Sequence, residues 1–140
     1  MSCLSRRAAA WIAIMMTLSA FIGCRAAPDR AVTQSPRRPA RINHLAFFKL
    51  NDPADAAALI EDCDRMAAVI PGITAYYAGQ HVDVGRPTVD GDYDVGFYTG
   101  FETIDDYLEY VAHPEHVALV ERWSPRLQWL RVHDVLDPTP

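Results

Sequence analysis

Apolar and polar positions alternate first with a period of two, then with a period near four, and that order is met twice. In Arg41 to Leu50 (RINHLAFFKL), Ile42, His44, Ala46, Phe48 and Leu50 fall on one side and Asn43, Leu45, Phe47 and Lys49 on the other, which predicts a strand with both faces largely covered. Asp52-Pro53 supplies an N-cap and a first-turn proline. Ala56, Leu59, Ile60, Cys63, Met66, Ala67 and Ile70 then recur at helical spacing, opposite Asp55, Glu61, Asp62, Asp64 and Arg65, until Pro71-Gly72 stops the helix. Ile73 to Val82 (ITAYYAGQHV) is rich in aromatic and β-branched residues and predicts a second strand. A loop with Gly85, Pro87 and Gly91 leads to a third, DYDVGFYTGF, ending at Phe101. Thr103 to Asp106 resembles a capping box with aspartate in place of glutamate and opens a second helix. Pro114 breaks that helix and starts another running to about Trp123, and RLQWLRVHDVL is the fourth strand.

The order βαββαβ predicts an α+β, ferredoxin-like arrangement of four antiparallel strands with helices on one side. The other sheet face keeps aromatic and aliphatic residues, and a second copy of the sheet is its simplest cover, so a homodimer is expected.

Composition divides the chain further. Residues 1–23 hold Arg6 and Arg7 and then an uncharged run from Ala8 to Gly23, the pattern of a secretory signal. The run ends in FIGC, which resembles a bacterial lipobox with Phe21 in place of the usual leucine and with Cys24 as the lipidated first mature residue. An uncleaved membrane anchor is the alternative, and either places the domain outside the cytoplasm on a membrane. Residues 24–40 are a tether whose part from Arg25 to Ala40 has three prolines, four arginines and one acid, and residues 41–137 are the domain. From Arg41 onward 7 basic and 17 acidic residues give a net charge of −10, which argues against nucleic acid as a partner. Cys63 is the one cysteine of the domain, so no internal disulfide is available there.

The candidate chemistry lies in YVAHPEH, where Tyr110, His113 and His116 surround a proline. Spacings of three and six across a helix break can bring these side chains to one pocket wall. A scaffold role is the alternative: His113 capping the new helix, His116 bonded to a strand carbonyl and Tyr110 filling an interface. A metal site would need His113, His116 and Glu115 joined by His44 or His81, and His-x-x-His across a proline is not a usual helical pair, so no metal is expected. Tyr76, Tyr77, Trp123 and Trp129 read as core or interface aromatics, and His81 and His133 as surface residues. Neither a phosphate-binding glycine loop nor a G-x-S-x-G elbow occurs, and no cofactor is expected.

Over residues 41–137 the chain resembles the stress-responsive A/B barrel (Dabb) family. The resemblance rests on INHLAFFKL with its histidine, the helix ending in IPG, Gly79 in the second strand, the edge strand D-x-x-x-Y-x-x-F ending at Phe101, and above all YVAHPEH. It implies a dimeric α+β barrel formed by two sheets packed face to face. It also implies, by likeness to a plant cyclase of the family, that Tyr110 and His116 are candidate catalytic residues, with His44 on the first strand. In such a site a histidine takes a proton alpha to a carbonyl and a tyrosine hydroxyl stabilises the oxyanion. The candidate pocket comprises His44, Ala46, Phe48, Leu59, Cys63, His113 and Leu119. Three readings follow: a membrane-tethered dimer that binds a small apolar molecule in the barrel, an enzyme of the cyclase, isomerase or cofactor-free oxygenase kind, and a non-catalytic structural or interaction module.

Overall fold

The computed structural model describes residues 37–139. The proposed signal, Cys24 and most of the tether lie outside the described residues.

Strand β1 (Ile42–Leu50) carries the predicted alternation into three dimensions, with its five even-numbered residues buried and the others half-buried. The Asp52 carboxylate accepts from Ala54 N at 2.9 Å, but Pro53–Asp55 form a 3-10 turn, and helix α1 (Ala56–Ala67) begins only after it. Helix α1 buries Ala56, Leu59, Cys63 and Met66, the positions picked out by spacing. Gly72 reverses the chain with φ 81°, a left-handed conformation that favours glycine, and leads into β2 (Ile73–Gln80). Strand β3 (Val95–Phe101) is buried along its whole length. Thr103 Oγ1 accepts from Asp106 N at 3.1 Å and starts α2 (Ile104–Ala112). His113, with ψ 136°, breaks the helical path before Pro114, where α3 (Pro114–Trp123) starts in a new direction. Strand β4 (Leu127–Leu136) follows a short 3-10 turn.

All strand pairings are antiparallel in the order β2-β3-β1-β4, which is the ferredoxin-like fold. The order corrects one expectation: the strand ending at Phe101 is internal, because β3 bonds to both β1 and β2, and the edges are β2 and β4. Register places Ile42, His44, Ala46 and Phe48 beside Phe101, Thr99, Phe97 and Val95 on one face. That face and the buried sides of the three helices make the core. One charged group enters it. Asp62 accepts from Trp123 Nε1 at 2.8 Å and from Arg122 Nη1 at 2.8 Å, and it also meets Arg65, so that α1 and α3 are fastened around a fully used carboxylate.

Among the described residues no helix lies over the opposite sheet face. Tyr77 and Tyr98 stack there at 5.2 Å, the Tyr98 hydroxyl donates to Asn43 Oδ1 at 2.9 Å, and Phe47 meets Tyr93 edge-on.

Candidate functional site

Antiparallel register sets His44 of β1 directly beside Asp134 of β4, and His44 Nδ1 lies 2.7 Å from Asp134 Oδ1. Tyr107 and Tyr110 are one helical turn apart on α2, so both rings turn toward the sheet. The Tyr107 hydroxyl donates to Asp134 Oδ2 at 3.0 Å and lies 3.4 Å from His44 Nδ1. Because Pro114 redirects the chain, His116 in the first turn of α3 comes back over Tyr110, with ring centroids 4.5 Å apart. His44 and Tyr110 are 5.7 Å apart, which gathers the three residue types of the expected site at one place.

These rings border a cavity of about 240 Å³ between the sheet and α2–α3. Strand β1 contributes His44, Ala46 and Phe48, β3 Phe97, and β4 Leu130 and Val132; α2 contributes Tyr107, Tyr110 and Val111, and α3 His116, Leu119 and Val120. Val111, Val120, Leu130 and Val132 remain 39 to 45% exposed and form its mouth. Its walls are mainly apolar, as ligand pockets are.

Several expected positions differ. Leu59 and Cys63 are wholly buried beneath α1 and do not border the cavity, since the face of α1 that carries them is pressed into the filled core. His113 does not border it either: its Nδ1 accepts from Glu115 N at 3.2 Å and caps α3. His116 Nδ1 lies 3.0 Å from the carbonyl of Val111, a helical residue and not a strand residue. Tyr110 is 1% exposed and belongs to the core of its own chain. The site as a whole lies between the helices and the sheet of one chain, not between two facing sheets. His81 and His133 contact Tyr93 and Phe47 on the far side of the sheet. Among the described residues no group of three or more His, Cys, Asp or Glu side chains is placed to hold a metal.

Electrostatics assign the protons. Burial lowers the His116 pKa, and nearby His44 adds to this, while the bond to Val111 opposes it. A carbonyl only accepts, so His116 Nδ1 carries the hydrogen and Nε2 is the free base. Burial and the Asp134 carboxylate push Tyr107 up to about 12, so its hydroxyl keeps its proton. Tyr110 is also raised by burial, partly offset by the neighbouring Thr99 hydroxyl. Thr99 Oγ1 is buried and makes no hydrogen bond of ordinary geometry among the described residues. Burial pushes the Cys63 thiol up to about 12, which leaves it an unreactive core residue.

Tyr107 and Asp134 were not legible as site residues from their surroundings in sequence. Helical spacing from Tyr110 could have flagged Tyr107; Asp134 needed the β1–β4 register.

The sequence profile described as the Stress responsive A/B Barrel Domain matches residues 42–137. Among curated proteins none matches the chain. It is similar to a dimeric ferredoxin-like protein of unknown function from Thermobifida fusca, with 26% identity, TM-score 0.58, and coverage of 69% of this chain and 90% of that one. A Dabb family protein with a ferredoxin-like fold from Mesorhizobium loti is similar at 25% identity and TM-score 0.59, over 70% of this chain and 97% of that one. The hydroxynitrile lyase of Passiflora edulis shares the fold at 15% identity and TM-score 0.61, over 74% and 99% of the two chains. The first two proteins consist almost wholly of the matched part, so in them the fold stands by itself.

Proposed function

The chain belongs to the stress responsive A/B barrel domain family, and from that premise we propose that it is a membrane-tethered homodimer in which each protomer binds a small apolar molecule between its sheet and α2–α3. The observation that carries this reading is the cavity of about 240 Å³, walled by Ala46, Phe48, Phe97, Leu119, Leu130 and Val132 and supplied with polar groups by His44, Tyr107 and His116. A packed structural module has no use for such a space, since an unfilled apolar cavity destabilises its surroundings. Dimerisation is favoured by the sheet face that none of the described helices covers, with Tyr77 54% exposed, and by the dimeric state of the Thermobifida protein. Tethering follows from the Ala8–Cys24 pattern: Cys24 would carry the lipid, and the exported domain would stay at the membrane on its basic linker.

Ligand capture is tested by native mass spectrometry of residues 37–140 purified without added ligand, beside Val132→Trp, which projects a bulky ring into the cavity. Expected is a co-purifying mass on the wild-type domain and its loss in the folded variant. Equal retention by both would place the molecule elsewhere. Growth with labelled palmitate tests the anchor, which requires label in the full chain and none in Cys24→Ala.

A second reading, an enzyme of the cyclase, isomerase or cofactor-free oxygenase kind, is favoured by one observation: His116 is held neutral with Nε2 free, as a general base requires. Tyr110 would then position the His116 ring, against which it packs, rather than meet the substrate with its hydroxyl. Loss of turnover with binding retained in His116→Ala would separate this reading from simple binding.

A further inference from the structure

The side-chain protons of His44, Tyr107, His116 and Ser124 beside the cavity are already committed to groups of the protein itself. His116 Nδ1 donates to the Val111 carbonyl at 3.0 Å, which leaves Nε2 with its lone pair. His44 Nδ1 is 2.7 Å from a carboxylate oxygen of Asp134, which likewise only accepts, so in the neutral ring Nε2 is the bare nitrogen. The Tyr107 hydroxyl spends its hydrogen on the other Asp134 oxygen at 3.0 Å, and what remains to it are lone pairs. The Tyr110 side chain, 1% exposed, presents almost no surface to the space. Among the described residues no lysine or arginine borders the cavity, and the chain from Arg41 onward has a net charge of −10 from 7 basic and 17 acidic residues. Three polar groups from three elements thus offer acceptors to the same space.

Resting on the binding reading above, we infer that the ligand is a hydrogen-bond donor: a compact apolar molecule bearing a phenolic, enolic or alcoholic hydroxyl, and not a carboxylate, a phosphate or a molecule whose polar atoms only accept. A hydroxyl placed among these lone pairs finds acceptors inside a cavity whose walls are otherwise mainly apolar. A carboxylate meets neither donor nor countercharge, and its desolvation goes uncompensated.

The volume suits two fused rings, so the test uses four matched probes on residues 37–140 at pH about 8, where a free imidazole is neutral. These are 2-naphthol, 2-methoxynaphthalene, 2-acetylnaphthalene and 2-naphthoate, followed by calorimetry and by the ring nitrogen signals of His44 and His116. Expected is 2-naphthol binding at least about tenfold tighter than the ether and the ketone, with naphthoate weakest and both histidine signals moving on naphthol addition. Naphthoate or the ketone binding as tightly as naphthol would overturn the inference, because the site would then hold donors. Ether and naphthol binding alike would overturn it too while leaving an apolar cavity in place. A naphthol preference without movement of either histidine signal also overturns it, since the hydroxyl would lie elsewhere. If none of the four binds, the binding reading itself fails along with the inference.

Discussion

Leu59 and His44 stand on the same side of one sheet, yet Leu59 is sealed in a filled core and His44 borders a cavity. The difference follows from how few helices there are to cover four strands. Helix α1 brings Leu59, Cys63 and Met66 against the sheet with at most 2% of each exposed, and Asp62 locks α1 to α3. Over β4 the same sheet face carries Leu130, Val132 and Leu136, and these remain 43, 45 and 57% exposed because none of the described helices packs down onto that edge. The space between the last helix pair and the edge strand is where the titratable side chains collect. One layer can therefore hold both a stability centre and a reactive or binding centre, divided by helix coverage rather than by residue type.

Cutting the filled half should cost most. Leu59→Ala is expected to lose about 3 kcal/mol of unfolding free energy, and Val132→Ala at the cavity mouth less than about 1 kcal/mol, both read from urea midpoints of the domain. Similar losses would mean that the two halves are equally packed. Next comes the polar contrast. Asp62→Ala leaves the buried Trp123 Nε1 without its acceptor and should lower stability by about 2 kcal/mol, whereas Asp134→Ala on the edge strand, whose carboxylate is 47% exposed, should lose under about 1 kcal/mol. A larger loss at Asp134 would reverse the assignment of the two halves.

The smallest effect is the most particular. Burial lowers the His116 pKa in the folded state, so the unfolded chain binds more protons as pH falls past the ordinary imidazole value of about 6.5. The stability tied to neutral His116 is complete above that value and is lost as pH drops toward its folded pKa. Melting temperatures measured between about pH 8 and 5 should fall more steeply for the wild-type domain than for His116→Gln. Parallel curves would show that the ring is not held neutral.

Much of this fold was legible because its causes are local. The alternation of β1, the Thr103 cap, the Pro114 break and the glycine reversal at Gly72 each depend on neighbours within a few residues, and each stands where the pattern put it. The start of α1 was misjudged because Asp52-Pro53 can open a 3-10 turn as readily as an α-helix.

The site divides in the same way. Tyr110, His116 and His44 could be singled out from a short motif and a strand pattern, and they do converge. That Leu59 and Cys63 belong to the core, that His113 caps α3, and that Tyr107 and Asp134 complete the polar cluster required the packing of α1, α2 and β4. By itself the sequence determined the order of strands and helices, the break at Pro114, and which side of β1 is buried, all of which follow from periodicity and backbone stereochemistry. Tertiary structure alone decided that β3 is internal and β4 an edge, which pairs His44 with Asp134 across ninety residues and leaves room for a cavity, because strand order and helix coverage are settled by contacts between segments that no local pattern encodes.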